Sequence, residues 1–407
     1  MHRKLIVAAA LAAVAVAGAV PAVADTAQAR VVSDNPVDFT PQVQDGTVYA
    51  LALVGQTVVV GGSFSTVTDA AQRTGYHRHA LFAYDLPTGA VTDFAPQLTG
   101  TVLALAAGPG NTVYAGGTFG VAQLDVGTGQ RVATFTASVN DGSVRALRYS
   151  GGLLYLGGSF RRLDGQLRPG LARVDGTTGA LDAAFDLHLV TPDFPTPKIE
   201  ALAVNPTGTR LVAIGVIEYA NALWRPQLLM VDTTGTGAVA DWYTDAYDNN
   251  CYDAFATYLR DVDFSPAGDY FVVVTTGRLT GPNQMCDTAA RFEAGGTGMH
   301  HPTWVNHTGG NSLYSVDATG SAVYVGGHEL WLDNPEGRKT AGPGAVYRPG
   351  IGAIDPVTGR ALAWNPTRTR GVGVQAFLST PAGLIVGSDT TQLGHEYHAR
   401  LGMFPPA

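Results

Sequence analysis

The 407-residue chain carries 33 acidic and 25 basic side chains, giving a formal charge of −8. With no lysine or arginine run, that balance excludes a nucleic-acid binder, whose surface must be basic. Fifty-one glycines, 45% hydrophobic residues and only 14% charged residues, in apolar stretches without helical spacing, point to an all-β chain with many tight turns.

Residues 1–29 open with a short basic start followed by an apolar run, "MHRKLIVAAALAAVAVAGAVPAVADTAQA". The pattern is that of a secretory signal, too short and too poorly flanked for a membrane anchor. Two small-x-small sites, Ala22-Val23-Ala24 and Ala27-Gln28-Ala29, leave cleavage open between 24/25 and 29/30. No later stretch is long enough to span a membrane. The expectation is a secreted, extracellular, monomeric protein whose residues 30–407 form one domain.

Past the leader, one phrase recurs: apolar β-formers running into glycine. Clear copies are "VVVGGSF" (58–64), "VYAGGTF" (113–119), "LYLGGSF" (154–160) and "VYVGGHE" (323–329). Worn copies are "VAIG" (212–215), "VVTTG" (273–277) and "LIVG" (384–387), making seven. A spacing of about 40–62 residues is the range of propeller blades. An inner-strand phrase precedes each copy: "VYALAL", "VLALAA", "VRALRY", "IEALAV", "LRDVDF", "LYSVDA" and "VQAFLS". After each copy comes a third strand into a turn such as "LFAYDLPTG" or "IGAIDPVTG", then an aromatic-bearing fourth strand such as "VTDFAPQL" or "LAWNPTRT". Aspartate accepting turn amides and glycine permitting positive φ suit that turn. Four short strands per unit define a blade. The paired glycines are expected where a Cβ would keep neighbouring blades apart.

The seventh unit ends on "HARLGMF" (398–404) with no fourth strand after it, whereas "PVDFTPQV" (36–43) stands at the start as a spare one. The reading is a seven-bladed β-propeller with four-stranded blades, its ring closed when the N-terminal strand completes the last blade. Closure hides strand edges that invite aggregation.

The GG-[ST]-F copies, the D-x-x-T-G turns and the "DF", "AF" and "AWNP" endings resemble the delta-sixty-repeat β-propellers, secreted bacterial proteins classed as a domain of unknown function. The resemblance covers residues 36–405. Units four, five and seven depart from it most, lacking the double glycine and its phenylalanine. It implies the fold and an extracellular setting, and little chemistry.

Long second-to-third connections and blade crossings share one rim in such a plan, and loops on a rigid scaffold carry binding residues. Candidate ligand-binding residues on that rim are Tyr76, His77, Trp224, Arg225, Asp248, Tyr252, Asp253, His328, Trp331, Tyr347 and His395. Aromatic faces beside Asp, Asn and Arg suit a carbohydrate or an extended peptide; packing of the loops onto the scaffold is the alternative for any one ring. Cys251 and Cys286 fall on the same rim. In an oxidising compartment they are expected to pair, closing a loop of about 35 residues worth roughly 3 kcal/mol.

No cofactor is expected. Calcium has only the oxygen cluster Asp245, Asp248, Asn249, Asn250 and Asp253, without the spacing of a calcium loop. Arg260 in "RDVDF" is expected to face a central channel with an acidic partner. There is no G-x-S-x-G and no H-E-x-x-H. "SVDATGSAVY" (315–324) lacks the aromatic ending of an aspartate box, and in "AIDPVTGRALAW" Trp364 is displaced by a residue from the docking motif of quinone propellers. His300, His301 and His307 flank a fourth strand, and "NHT" (306–308) matches a glycosylation sequon. A binding or interaction scaffold for extracellular carbohydrate or protein is therefore expected, more than an enzyme. The alternative is a polysaccharide hydrolase or lyase using Asp248, Asp253 or Glu329.

Overall fold

The computed structural model describes residues 26–248, 251, 255–278 and 280–407. Residues 1–25, most of the segment read as a leader, lie outside them. The described chain is all-β, without helix, and is built of many small, mostly antiparallel sheets.

Seven of these sheets are meanders that follow one another along the chain, here modules 1 to 7. Their first strands are Val48–Val54, Val102–Ala107, Val144–Ser150, Lys198–Val204, Leu259–Phe264, Leu313–Ala318 and Ala376–Thr380. In each, the first strand pairs antiparallel with the glycine-ended second, and the second with a third. First strands of successive modules lie side by side, and that of module 7 lies beside that of module 1.

The expected fourth strand is regular in modules 4 and 5 only, at Ala238–Val239 and Trp304–His307. In modules 1, 2, 3 and 6 it contracts to one bridge, Tyr84 to Val91, Leu124 to Arg131, Val174 to Leu181 and Ile354 to Ala361. The D-x-x-T-G turn is the cause. Asp85 Oδ1 accepts the amide and hydroxyl of Thr88, and Gly89 N–H donates to Asp85 O. One further rung forms, Thr92 N–H to Ala83 O. Phe94 then turns inward to 1% exposure, and Pro96 has no N–H with which to continue a ladder.

The core lies between successive modules. One apolar cluster joins Val59 and Ala83 of module 1 to Val102, Leu105 and Val113 of module 2; another joins Ile385, Leu401 and Met403 of module 7 to Val48, Val58 and Phe82 of module 1. The strand-ending glycine, the first where there are two, is where the sheets approach. A Cβ on Gly61 would stand 2.5 Å from Val102 Cγ1; on Gly116, 2.6 Å from Val144; on Gly157, 2.7 Å from Ile199; on Gly326, 2.6 Å from Val374; and on Gly387, 2.5 Å from Val48. Real contacts do not come so close, so larger residues there would overpack the interface.

The N-terminal segment runs antiparallel to the last strand, Leu401–Phe404. Val32 bridges Pro406, and the amides of Ser33, Val37 and Val43 donate to Pro405 O, Met403 O and Ala399 O. Farther along, Gln42–Val43 pairs with Thr66–Thr68 of module 1. Inter-module crossings do the same elsewhere: Val139–Asn140 pairs with Arg162–Leu163, Val190 bridges Tyr219, and Arg368 bridges Leu393. Indole N–H groups repeat the pattern. Trp242 donates to Glu293 O, Trp304 to Pro356 O and Trp364 to Ser33 O, so Ser33 serves module 7 as those turns serve modules 5 and 6.

Candidate functional site

In every module the second-to-third connection leaves from the end where the first strand begins, as the pairs Val48–Gly62, Val144–Gly158 and Leu313–Gly327 fix. The longer connections form small hairpins at that end: Thr66–Thr68 with Gly75–His77, Arg162–Leu163 with Gln166–Leu167, Tyr219–Ala220 with Leu223–Trp224, Trp331–Leu332 with Val346–Tyr347, and Gln392–Leu393 with Glu396–Tyr397.

The same end carries a repeated irregularity. Six first strands have a β-bulge at their second apolar-phrase residue: Tyr49, Leu103, Arg145, Glu200, Arg260 and Tyr314. In module 7 the matching residue is Gln375, whose N–H donates to Gly387 O. Bulges re-aim side chains, and all seven of these line one cavity of about 610 Å³ walled by the seven first strands. The residues just before them, Val48, Val102, Val144, Ile199, Leu259, Leu313 and Val374, are completely buried. The cavity mouth is thus a set of seven variable side chains on seven invariant apolar footings.

Charge is concentrated on one side of the mouth. Arg145 Nε donates to Glu200 Oε2 at 2.9 Å, and Lys198 Nζ pairs with the other oxygen of Glu200. Burial would raise the Glu200 carboxyl, yet Arg145, Lys198 and Arg260 together hold it below its ordinary value. Arg260 faces the cavity as expected, but among the described residues the acidic partner expected for it makes no ion pair with it. Burial pulls its guanidinium down against the attraction of Glu200, which comes from module 4. Deeper in the wall the carboxylates serve neighbouring strands. Asp261 accepts Val316 N–H and Ser315 O–H, Asp263 accepts Ala318 N–H, and Asp317 accepts Ser379 N–H. Burial raises Asp261 to about 6, the Val316 and Val262 amides, Ser315 and Arg148 pulling the other way.

The candidates read from the sequence are spread over the hairpin layer. Tyr76 and His77 sit on the module 1 hairpin, His77 Nδ1 lying 3.0 Å from Ser65 O. Trp224 pairs with Tyr219, and Trp331 with the exposed Tyr347. His395 and Asp248 are exposed. Arg225 is buried; its guanidinium donates to Trp224 O and Ala240 O and lies 5.1 Å from the Tyr243 ring centre, so it holds the scaffold. Tyr252 and Asp253, with Asn249 and Asn250, lie outside the described residues. Among the described candidates, His328 alone touches the mouth, its ring edge-on to Tyr314 at 5.5 Å. Arg370 braces it, donating to His328 O and to Asn311 Oδ1.

Cys251 and Cys286 form a disulfide that ties the crossing into module 5 to that module's second-to-third connection. Glu329 is completely buried. Neither of its oxygens makes a well-formed hydrogen bond among the described residues. The adjacent Arg368 spends its donors on Gly350 O, Thr369 O, Thr390 Oγ1 and Gly327 O. Burial therefore raises Glu329 to about 8. Asn306 of the sequon is buried and donates to Asp333 and Gly359 O, which leaves no room for a glycan in the folded state. His300 stacks on Trp242 at 4.9 Å. No helix among the described residues is long and apolar enough to cross a membrane.

Sequence reasoning found Arg260 and missed Tyr49, Arg145, Glu200, Tyr314 and Gln375. The signal was present: in the seven inner-strand phrases the second letter reads Y, L, R, E, R, Y, Q while its neighbours stay apolar. The architecture is an all-β fold whose seven first strands surround a polar-mouthed cavity. Among solved structures, the crystal structure of the computationally designed Ika8 protein is similar in fold, with a TM-score of 0.52 and 15% identity over 91% of this chain and 100% of that one. The chain matches no family model and no curated protein.

Proposed function

We propose that the seven modules are the blades of a closed β-propeller of the delta-sixty-repeat kind, exported by its leader. We further propose that it acts as a binding module whose ligand enters at the hairpin end and reaches the cavity mouth. The observation that carries this reading is one strand position, bulged in six of the seven first strands, that presents seven side chains of five kinds to one opening. A scaffold needing only to fold would place apolar residues there, as at Leu103. Tyrosines for stacking beside arginine, glutamate and glutamine for directed hydrogen bonds suit an extracellular carbohydrate; a protein surface is the other ligand class that the hairpin layer could meet.

A glycan array together with a turnover screen of the purified protein tests the proposal. Saccharide binding that weakens in Tyr314→Ala supports it. Release of cleaved product would replace it by the enzyme reading, and binding unaffected by changes at the mouth would move the site elsewhere.

A further inference from the structure

The seven mouth side chains differ in charge, and the imbalance has a direction. Arg145, Lys198 and Arg260 surround a single carboxylate, Glu200. Two of the three cations, Arg145 and Lys198, pair with it directly. Arg260 forms no ion pair among the described residues; its Nη1 reaches only Thr257 O and Leu259 O, at 3.3 and 3.2 Å, with the Phe255 ring 5.6 Å away. The other carboxylates that line the cavity, Asp261, Asp263 and Asp317, lie deeper in the wall, where each accepts an amide of the next strand. The surplus is confined to the mouth, in a chain whose overall charge is −8, and is not part of a general basic field. Burying an arginine without its own carboxylate is costly unless a partner arrives. Guanidinium matches a carboxylate through two parallel hydrogen bonds, a geometry that lysine cannot give.

Resting on the binding reading above, we infer that the ligand is an acidic saccharide whose carboxylate is received by Arg260, with Arg145 beside it and the rings of Tyr49 and Tyr314 flanking the sugar. Glu200 is a positioning residue: it holds Arg145 and Lys198 at the mouth and leaves Arg260 for the ligand. Leu103 and Gln375 complete the opening without charge.

The test is calorimetric titration of the whole mature protein with hexuronate trisaccharides, their methyl esters, the corresponding neutral trisaccharides and a sulfated trisaccharide. The expected result is binding of a hexuronate that falls about tenfold or more on esterification. Arg260→Met should produce a similar fall, while Arg260→Lys keeps part of the affinity and Arg73→Met, on an exposed hairpin, keeps all of it. Circular dichroism of each variant checks folding, and the esterification arm reads the charge requirement without any variant. Ester and acid binding equally well, or Arg260→Met binding as the parent does, overturns the inference and leaves the saccharide-binding proposal standing. Binding of the sulfated probe alone overturns the carboxylate assignment. Binding of none of the saccharides overturns both.

Discussion

The carbonyl oxygen of Phe39 occupies the space beside Gly89, 1.8 Å from where a Cβ on that glycine would stand. Gly89 ends the D-x-x-T-G turn of module 1. The same turn glycine in later modules faces the ending of the module before it: Gly129 faces Ala95 and Pro96, Gly179 faces Thr136 and Ala137, Gly237 faces Phe185, and Gly359 faces Trp304. Among the described residues no module precedes module 1. Phe39 takes the seat that a predecessor would fill, and the segment bearing it is bonded to the last strand.

Two substitutions read this seat. Gly89 has φ of +72°, so Gly89→Ala meets both an unfavourable backbone conformation and the Phe39 carbonyl, and should cost about 2 kcal/mol or more. Phe39→Ala, from a half-buried site, should cost about 1–3 kcal/mol. Chemical denaturation of each single variant and of the pair checks this; the double variant should lose less than the sum.

The proposed leader offers two cleavage points, and the contacts of Gln28 favour one of them. Gln28 N–H donates to Thr319 O, its Nε2 lies 3.5 Å from Thr380 O, and the Tyr324 hydroxyl lies 3.4 Å from its Oε1. These contacts survive only if cleavage follows Ala24. Under the proposed export, the intact mass of the secreted protein should correspond to a chain starting at Asp25; a start at Arg30 would contradict this.

Glu329 should make stability depend on pH. Its folded value of about 8 lies above the ordinary 4.5, so between those values the folded state holds a proton that the unfolded state has released. Stability contributed by this group is therefore full below about 4.5 and declines as pH rises towards 8. Burial lowers His307 and His398, which pushes the other way below pH 6.5, so the difference between parent and variant is the clean readout. Glu329→Gln should gain on the parent as pH rises from 5 to 8, by on the order of 2 kcal/mol at the upper end. A constant offset across that range would contradict the assignment.

The Cys251–Cys286 bond spans 35 residues. Replacing both cysteines by serine should lower the unfolding free energy by roughly 3 kcal/mol, chiefly by freeing the unfolded chain. Gly277 should be nearly as sensitive, because its Cβ would stand 2.7 Å from Cys286 Cβ and 2.9 Å from Cys251 Cβ. Free-thiol titration of Gly277→Ala should show incomplete pairing.

Much of this architecture was legible because the chain repeats itself. The glycine-ended phrases and their apolar forerunners mark the first and second strands, and Gly61, Gly116 and Gly387 lie at the sheet contacts that their pattern suggested. The fourth strands were read too generously. Val91 and Arg131 have strand-like neighbours, but the Asp–Thr turn before them uses up the ladder within a rung. The site was the least legible part. A bulge shifts a strand by one residue, so simple alternation misplaces Tyr49, Arg145 and Glu200, and only their matching positions in seven phrases betray them. Residues chosen for aromatic character, such as Trp224 and Trp331, pair within their own hairpins.

The most direct test of the account is amide hydrogen exchange in the segment proposed to close the ring. Peptides covering residues 32–43 and 399–406 should exchange together, both protected close to the global unfolding free energy. Rapid exchange of residues 32–43 beside a protected 399–406 would contradict the closure, and with it the single cavity mouth on which the binding proposal stands.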